Sequence, residues 1–386
     1  MDELIFLTSS RGEKLLHELA QVDLDADLIK RVTTLRREYD AEQVNAAMTQ
    51  ARLRRKAVEK FGMDAARMFF TADALEQASD PLIRAYRADI VQGTEVLDLC
   101  CGIGADALAF GRTNLQVTGV DYDQTRIAFA RQNAEVLGLS NVLFEVADVR
   151  ELEASAEVVF FDPARRDERG KRIHNVWGYI PNLGTITRFQ AGRRMVKIAP
   201  GVDLAQLKDF PCRVEFISVG GDLKEALLHV DESGMTATYM DAERRLQWSQ
   251  ADTATEPEIT LSAPRGWLIE PDFALMRAGL VRHFAGQIGG YLLDETIAYI
   301  TADAKPDTAW GRAWRIWDWM PFNLKNLREY LRVRNIGRVT VKKRGSAITP
   351  EDLMSKLRLK GAESCTLVLT RYATQHIVII CADYTA

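Results

Sequence analysis

EVLDLCCGIGADALAF, residues 95–110, is the stretch of sequence that decides the fold. Its apolar run ends at Asp98, a turn with Gly102 and Gly104 follows, and a helix is predicted to begin at about Asp106. Glycines in such a turn let the backbone approach a ligand, and the helix N-terminus adds free N–H groups and a favourable dipole. The pattern therefore predicts a ligand-binding strand–turn–helix unit at one edge of a parallel sheet.

Acidic residues end the two predicted strands that follow this turn. Asp121 ends VTGVDY and Asp148 ends FEVAD. An acid at the first of these places can accept both ribose hydroxyls of a nucleoside, and Asp148 could meet an adenine edge. Two alternatives stay open, since Asp148 could simply cap a helix and an NAD-binding sheet would share the glycine turn. The third glycine of the dinucleotide fingerprint is replaced by Ala107, so the pattern favours another nucleoside cofactor.

Three regimes of sequence pattern follow one another along the chain. Residues 1–80 carry helical periodicity, with Asp40 as the predicted cap of one helix and Gly62 as its stop. From about residue 93, short apolar runs alternate with helical segments, which predicts parallel βαβ units. The predicted strands are EVLDLCC, VTGVDY, VLFEVAD, VVFFDP, RMVKIAP and RVEFISVG, followed by a hairpin in ATYMDAERRLQW. Residues 257–271 resemble a domain join, so we predict domains at 1–80, 81–255 and 256–386.

Composition limits the possible functions. The chain has 386 residues, a net charge of −4 and a pI near 5.9, so a nucleic-acid site would require local basic clusters. Five cysteines without paired spacing indicate reduced thiols. A start unlike a signal peptide, and no apolar run approaching about 20 residues, predict a cytoplasmic protein without a membrane span. The five histidines are scattered singly, so no metal site is predicted.

Four segments of the chain resemble the ordered motifs of one enzyme family. DLCCGIG, GVDYD, VADV and FFDPAR are similar to motifs of the class I S-adenosylmethionine-dependent methyltransferases, over roughly residues 81–250. The resemblance implies a Rossmann-like α/β fold and S-adenosyl-L-methionine as cofactor. It also implies a seven-stranded sheet whose last strand is antiparallel, which matches the hairpin signal at RRLQW. The helical N-terminal part and the C-terminal α+β module further resemble bacterial methyltransferases that end in a THUMP-like domain.

The resemblance also implies which residues bind the cofactor. The Gly102–Gly104 turn would hold the methionine portion, Asp121 the ribose and Asp148 the adenine. The full predicted set is Asp98, Cys100, Gly102, Gly104, Asp121, Tyr122, Asp148 and Val149. Cys100 stands where the family usually has the first glycine of this loop, a departure that RNA-modifying members often show.

VVFFDPARRDERGK, residues 158–171, ends the fourth predicted strand. In the class I family this strand end faces the transferable methyl group. Members that methylate amino groups of nucleic acids carry an Asp/Asn/Ser-Pro-Pro-aromatic motif there. Asp162 and Pro163 keep the acceptor half of that motif, whereas Ala164 and Arg165 replace the second proline and the ring. Arg165 could stack its guanidinium on a base or bind a phosphate, so the predicted catalytic residues are Asp162, Pro163 and Arg165.

Further substrate contacts are predicted around the same strand end. The missing aromatic ring could come from the residues before the first strand or from NVWGYIP. The predicted contacts are Phe70, Trp177, Tyr179, Arg165 and Arg166. The segment 169–172 could equally bind phosphate or form a solvated loop balanced by Asp167 and Glu168.

The fifth predicted strand ends in MVKIAP, with Lys197 and without a cysteine. Lys197, a predicted substrate contact, could form a salt bridge in the site or merely close the strand. Methylation of carbon 5 of a pyrimidine needs a cysteine nucleophile on the fourth or sixth motif. Direct transfer to a nitrogen is therefore favoured, with most of the rate coming from positioning.

KNLREYLRVRNIGRVTVKKRG, residues 325–345, reverses the acidic character of the chain. A basic stripe on a helix–strand unit is typical of a surface that binds the RNA backbone. The predicted phosphate contacts are Arg334, Lys342, Lys343 and Arg344. A second basic run, ARLRRKAVEK, lies in the N-terminal helices, and two such runs favour RNA as the partner. Four tryptophans, at 310, 314, 317 and 319, are predicted to pack in a strand core.

Together these features predict an S-adenosylmethionine-dependent methyltransferase that acts on a base nitrogen of structured RNA, ribosomal or transfer RNA. One alternative is a small-molecule or protein methyltransferase whose basic runs are ordinary surface. A second alternative is an RNA-binding protein that keeps the fold without turnover. No membrane or metal partner is predicted, and the oligomeric state stays open.

Overall fold

The computed structural model describes residues 2–24, 26–167, 169–250, 255 and 257–384. The chain divides into two compact units. Unit 1 comprises Met1–Cys212 and Glu225–Glu232, and unit 2 comprises Arg213–Lys224 and Ser233–Ala386. The domain boundaries at residues 80 and 255 stay predictions. Glu256, next to the second boundary, lies outside the described residues, and so does Glu168 of the predicted loop.

Helices fill the N-terminal part of unit 1, as predicted. They are α1 (Asp2–Leu7), α2 (Ser10–Ala20), α3 (Leu28–Leu35), α4 (Ala41–Phe61), α5 (Ala72–Gln77) and α6 (Pro81–Ile90), with a 3-10 helix at Gly62–Ala66. Asp40 caps α4, since its side chain accepts a hydrogen bond from the Gln43 N–H at 2.9 Å. Gly62 ends α4 with a φ of 55°, which confirms the predicted start and stop of this helix.

Unit 1 also contains five of the six strands that were predicted to be parallel. The elements of this part are β1 (Glu95–Leu99), α7 (Ala105–Phe110), β2 (Gln116–Asp121), α8 (Gln124–Leu137), β3 (Val142–Val146), β4 (Ser155–Phe161) and β5 (Gln190–Ile198), with 3-10 helices at Val176–Gly178, Leu183–Arg188 and Leu204–Leu207. The five strands are parallel in the order β3-β2-β1-β4-β5. Leu99 lies beside Val120 and Phe161, so the carboxyl ends of β1, β2 and β4 reach the same edge of the sheet.

The antiparallel strand next to β5 is not the segment that the sequence analysis chose. β7 (Asp222–Val230) pairs antiparallel with β5, and Met195 lies opposite His229. Sequence analysis placed the antiparallel strand in the RRLQW hairpin and missed β7, because DLKEALLHV is rich in good helix formers. Burial of this segment overrides its propensity. The Gly220–Gly221 turn before it, with both φ values positive, was the hairpin signal that was missed.

Unit 2 is an α+β structure, as predicted for the C-terminal part of the chain. It contains β8 (Met235–Met240), β9 (Arg245–Ser249) and all of β6 (Cys212–Val219) except Cys212, which belongs to unit 1. β8 and β9 form the predicted antiparallel hairpin. A second, seven-stranded sheet has the order β11-β12-β10-β13-β16-β15-β14. Its strands are β10 (Trp267–Pro271), β11 (Tyr291–Asp294), β12 (Ile297–Ala302), β13 (Gly311–Pro321), β14 (Ile336–Lys343), β15 (Glu363–Tyr372) and β16 (Gln375–Cys381).

Helices complete unit 2, and apolar residues cover both faces of its second sheet. The helices are α9 (Phe273–Arg277), α10 (Val281–Gln287), α11 (Leu324–Val333) and α12 (Pro350–Leu357). Leu327 of α11 and Leu353 of α12 pack into one buried cluster with β15 and β16, and Trp314 belongs to a separate buried cluster. Trp317 is 48% exposed, contrary to the prediction, because the pairing of β13 shifts register between Ile316 and Asp318. In the described part of the chain, no helix has the length and apolar character needed to cross a membrane.

Candidate active site

The turn after β1 has the backbone conformation that glycine favours. Cys100, Gly102 and Gly104 have φ values of 63°, 57° and 83°. A Cβ on Gly102 would meet no atom within 4 Å, whereas one on Gly104 would lie 2.7 Å from Phe144 Cζ. The turn is therefore open beside Gly102 and closed against the sheet at Gly104. Gly104 is needed for packing as well as for its φ, a reason that the sequence motif does not reveal.

Cys100 occupies the left-handed region without being a glycine, which is a strained position for an L-residue. Burial, together with the nearby carboxylates of Asp121 and Asp162, raises the pKa of the Cys100 thiol well above its ordinary value. Burial, with the charge of Asp98, likewise raises the pKa of Cys101. Both thiols are therefore neutral at physiological pH and poor nucleophiles.

Asp121 is held against the turn and keeps part of its acceptor capacity. The residue is 2% exposed. Its Oδ2 accepts a hydrogen bond from the Gly102 N–H at 2.9 Å, and its Oδ1 accepts one from the Asp123 N–H at 3.0 Å. Because each carboxylate oxygen has two acceptor sites, one site on each oxygen is left for a ligand. Tyr122 follows directly and is 70% exposed.

Asp98 carries a buried oxygen without a partner. The residue is 1% exposed, and no described residue donates a hydrogen bond to its Oδ2. Burial raises the pKa of Asp98 well above its ordinary value, and the negative charges of Asp106 and Asp162 add to this effect. An unsatisfied buried polar atom beside an open glycine turn is a feature that a polar ligand would complete.

Asp148 lies beyond the end of β3, where sequence analysis placed it, but its carboxylate is occupied. The Arg150 Nε donates to both oxygens at 2.9 and 3.0 Å, and the Arg150 N–H donates to Oδ1 at 2.9 Å. These hydrogen bonds from Arg150 lower the pKa of Asp148. Asp148 therefore lies in a local turn and does not cap a helix, and the neighbouring Val149 is buried.

Arg87 forms a buried ion triad beside this site, which sequence analysis missed. The Arg87 side chain is fully buried and donates hydrogen bonds to Asp106 Oδ1 and Glu225 Oε1. Its guanidinium also lies 5.0 Å from the centre of the Phe160 ring. Although burial opposes it, the attraction of Asp106 and Glu225 raises the pKa of Arg87. The triad joins α6 to the first turn of α7 and to β7.

Asp162 and Lys197 form an ion pair at the ends of β4 and β5. The Lys197 Nζ donates to Asp162 Oδ2 at 2.6 Å, and the two side chains are 5% and 25% exposed, respectively. The Asp162 N–H donates to the Leu99 carbonyl at 3.2 Å, so Asp162 lies beside the end of β1. Lys197 was considered either as a salt-bridge partner in the site or as a residue that merely closes the strand, and the structure shows the salt bridge.

A hairpin follows Asp162 and the buried Pro163. Ala164 pairs with Ile180, and Arg166 pairs with Arg172. The Arg166 guanidinium is 3.8 Å from Glu76 Oε1. Arg165 is half-buried, and its side chain makes no hydrogen bond or ion pair with any residue that the structure describes. Of the predicted arginines, Arg165 is thus the one left available beside Asp162.

The aromatic residues predicted to stack on a base differ in exposure. Phe70 and Tyr179 are buried at 2% and 3% exposure, which makes them core residues of unit 1 in this structure. Trp177 is 43% exposed, but its Nε1–H donates to the Gln206 carbonyl at 2.9 Å and its ring packs against Phe210. Only Trp177 among the three presents a ring to solvent.

The four predicted phosphate contacts of unit 2 fall into two groups. Arg334 and Lys343 are exposed. Lys342 and Arg344 instead pair with Glu270, at 2.5 and 3.5 Å, and are only 25% and 24% exposed. All four stay predicted contacts, but Lys342 and Arg344 are less available to a phosphate because they already neutralise a buried carboxylate. The described residues contain no group of three or more potential metal ligands, and all five cysteines are free.

A parallel sheet with a glycine turn after β1, an acid after β2 and an antiparallel strand beside β5 defines the class I methyltransferase fold. Family models match the chain as a methyltransferase domain at residues 90–176, as THUMP domain-like at residues 311–383, and as a domain of unknown function at residues 1–57. An uncharacterized S-adenosylmethionine-dependent methyltransferase of Mycobacterium tuberculosis is 32% identical over 329 residues, which cover 83% of this chain and 90% of that protein. The chain belongs to the S-adenosylmethionine-dependent methyltransferases.

Two further comparisons give a solved structure of similar fold and a relative that matches part of the chain. A solved structure from Porphyromonas gingivalis W83, assigned as a methyltransferase, has a TM-score of 0.77, covers 97% of this chain and 98% of its own, and is 18% identical, which shows a shared fold. The 23S rRNA (uracil(747)-C(5))-methyltransferase of Vibrio cholerae is 31% identical over 96 residues, or 23% of this chain and 26% of that protein. The predicted family, fold class, enzyme activity and cofactor are confirmed.

Proposed function

We propose that this protein transfers a methyl group from S-adenosylmethionine to a base nitrogen of structured RNA, ribosomal or transfer RNA, by direct displacement. The observation that carries the proposal is the position of Asp162 and Pro163. They follow β4 directly, and the Asp162 N–H is bonded to the last residue of β1, immediately before the glycine turn. An acceptor group beside the cofactor turn, without a reactive thiol, suits an N–H nucleophile.

The residues around the turn fit the cofactor. Bound S-adenosylmethionine supplies a methyl group on a positively charged sulfur, which a nucleophile attacks in line. The open side of Gly102, the unpartnered Oδ2 of Asp98 and the two remaining acceptor sites of Asp121 suit a ligand with an amino group and ribose hydroxyls. The proposed cofactor-binding residues are Asp98, Cys100, Gly102, Gly104, Asp121, Tyr122, Asp148 and Val149. Of these, Asp148 would have to share its carboxylate with Arg150.

Asp162, Pro163 and Arg165 are the proposed substrate-facing residues. The Asp162 carboxylate accepts a hydrogen bond from the base nitrogen and thereby orients its lone pair. Pro163 has no N–H and fixes φ directly after Asp162, which limits the motion of this strand end. Arg165 is half-buried and can stack on the base or bind the adjacent phosphate.

Covalent methylation of a pyrimidine carbon is disfavoured by the cysteines that the structure describes in unit 1. The Vibrio cholerae relative is named for carbon 5 of uracil, a reaction that needs a cysteine thiolate. Burial raises the pKa of Cys212 to about 11, and the pKa values of Cys100 and Cys101 are raised as well. A nitrogen acceptor is therefore proposed despite that partial similarity.

Three observations support RNA as the substrate. Residues 311–383 match a THUMP domain-like model, partial relatives are named as RNA methyltransferases, and exposed basic residues lie in unit 2. The proposed phosphate contacts are Arg334 and Lys343, and Lys342 and Arg344 are less available. Trp177 and Arg166 remain proposed substrate contacts in unit 1, with Lys197 acting through Asp162.

Asp121→Ala is expected to weaken S-adenosylmethionine binding by about 1.5–3 kcal/mol, the range for hydrogen bonds to a charged group. The reason is the loss of both proposed ribose acceptors, together with the hydrogen bonds that the Gly102 and Asp123 N–H groups donate to this carboxylate. Calorimetric titration with S-adenosylmethionine measures the effect. Asp123→Ala is the matched control: Asp123 caps α8 through Thr125 and Arg126, so this change lowers stability but leaves cofactor affinity as it was. If Asp121→Ala and wild type bind S-adenosylmethionine with equal affinity, Asp121 does not bind the ribose.

Arg334→Gln or Lys343→Gln is expected to reduce the log–log salt slope of RNA binding by about 1, since each exposed cation releases a counterion from a phosphate. Filter binding of bulk ribosomal and transfer RNA over a range of salt concentrations measures this slope. Lys342→Met serves as the contrast, because Lys342 is paired with Glu270, and should lower stability without changing the slope. If wild type and all three variants have the same salt slope, the basic run is ordinary surface charge and does not contact phosphate.

Mass spectrometry of nucleosides tests the function as a whole. Ribosomal and transfer RNA from cells lacking the gene should lack one N-methylated nucleoside, which wild-type protein restores and Asp162→Ala does not. Unchanged nucleosides, together with transfer of labelled methyl to a protein or small molecule in extracts, would establish the alternative substrate class instead.

A further inference from the structure

Lys197 is a buried cation. Among the described residues, its Nζ donates a hydrogen bond only to Asp162, at 2.6 Å. It is 4% exposed. β4 and β5 are parallel, and Phe161 lies beside Val196, so Asp162 and Lys197 are the next residues of two neighbouring strands. A buried ammonium group is costly unless it is paired. The pair therefore fixes Asp162 from the side of β5.

Four other titratable groups lie close enough to interact electrostatically with this pair. Burial raises the pKa of Asp98 well above its ordinary value, and burial likewise raises the pKa of the Cys100 thiol. Against the effect of burial, the charges of Arg87 and then Lys197 lower the pKa of Asp106, which is paired with Arg87. Burial lowers the pKa of Lys60, whose Nζ donates to the carbonyls of Leu75, Glu76 and Ala78 at the end of α5.

We propose that Lys197 is a positioning residue that fixes the Asp162 carboxylate and cancels its charge, so that this strand end selects an uncharged nitrogen over a protonated amine. The inference rests on the proposed function and narrows its substrate class. A carboxylate that already neutralises Lys197 has no net attraction for a second cation, and Arg165 adds further positive charge. It can still accept a hydrogen bond from the amino or ring N–H of a base. A lysine side chain or a polyamine, in contrast, would meet an Asp162 carboxylate whose charge Lys197 already neutralises.

The positioning role is tested with Lys197→Met, Lys197→Arg, Asp162→Asn and the double variant Asp162→Asn/Lys197→Met. Single-turnover transfer from labelled S-adenosylmethionine uses bulk RNA from cells lacking the gene as the acceptor. Lys197→Met should lower the rate at saturating RNA by about 10²-fold with little change in the RNA concentration at half-saturation. Lys197→Arg should keep most of the rate. Adding Asp162→Asn to Lys197→Met should cause little further loss, because the two residues act as a unit.

Urea unfolding of the same four variants makes the test independent of substrate. The free energies of unfolding in the double-mutant cycle should show an interaction between Asp162 and Lys197. The double variant leaves no buried charge unpaired, so it should fold even if Lys197→Met does not. A coupling of zero, or a Lys197→Met rate equal to wild type, overturns the positioning role. If the coupling is present but wild-type protein labels no RNA, the pair stands and the proposed RNA substrate fails.

Poly-L-lysine serves as the protonated-amine acceptor for the selectivity half of the proposal. Wild-type protein should label the RNA and leave poly-L-lysine unlabelled under the same conditions. Lys197→Met, which leaves the Asp162 carboxylate without its cation, should shift the ratio of the two rates toward poly-L-lysine. Equal labelling of both acceptors by wild type, or an unchanged ratio in Lys197→Met, would show that Lys197 does not set the acceptor charge.

Discussion

Asp162→Ala lowers the single-turnover rate of methyl transfer by about 10²–10⁴-fold at saturating cofactor, the usual worth of a positioned acid–base or acceptor group. The variant removes the hydrogen-bond acceptor at the end of β4 and leaves Lys197 buried without its partner. Cofactor affinity should change little, because the Asp121 carboxylate remains bonded to the turn. The rate is measured with labelled S-adenosylmethionine and bulk RNA from cells lacking the gene.

Asp162→Asn separates the two roles of this carboxylate. The amide keeps an oxygen acceptor of the same shape but loses the charge that pairs with Lys197. If the carboxylate only orients the nitrogen, the Asn variant should retain much more activity than the Ala variant. If the carboxylate also takes the proton, both variants should fall by about 10²–10⁴-fold. We expect the first outcome, because the Lys197 Nζ already donates a hydrogen bond to the Asp162 carboxylate and holds it in place.

A control and a contradicting result complete this experiment. Asp209→Ala changes a side chain that is 86% exposed in unit 1 and should leave the rate at the wild-type value. Thermal unfolding confirms that each variant is folded before its rate is compared. Full activity in Asp162→Ala would mean that this strand end is a structural turn, and the catalytic assignment would then be wrong.

Arg87→Met lowers the free energy of unfolding of unit 1 by about 3–5 kcal/mol, the usual cost of removing one partner from a buried ion pair. The change leaves Asp106 and Glu225 without a cation in an apolar environment. Arg87 is fully buried, so solvent does not screen these charges. Native-state hydrogen exchange of the β1 amides measures the effect, since it reports on unit 1 alone.

Two further variants give the Arg87 experiment its controls. The triple variant Arg87→Met/Asp106→Asn/Glu225→Gln removes all three charges and should recover much of the loss, because no unpaired ion remains buried. Arg112→Met breaks an ion pair with Asp64 in which the arginine is 54% exposed, and should cost at most about 1 kcal/mol. An Arg87→Met variant as stable as Arg112→Met would show that the triad does not stabilise unit 1.

Several features of the fold could be predicted because their causes are local. The capping of α4 depends on Asp40 and on residues within one helical turn of it. The turn after β1 depends on glycines that adopt positive φ, and the alternation of apolar runs with helices identifies parallel βαβ units. β7 was missed because its helix propensity is a local property, whereas its burial in the sheet is not.

The sequence by itself determined the family, the cofactor and the positions of Asp98, Asp121 and Asp162 at strand ends, since each depends on a residue and its near neighbours. The tertiary structure alone decided which charges meet. Asp162 and Lys197 are 35 residues apart, and Arg87 and Glu225 are 138 residues apart. Likewise, Lys342 turned out to be paired while Lys343 is exposed. An ion pair forms where folding brings two side chains within a few ångströms, and for residues this far apart in sequence only the tertiary structure sets that distance.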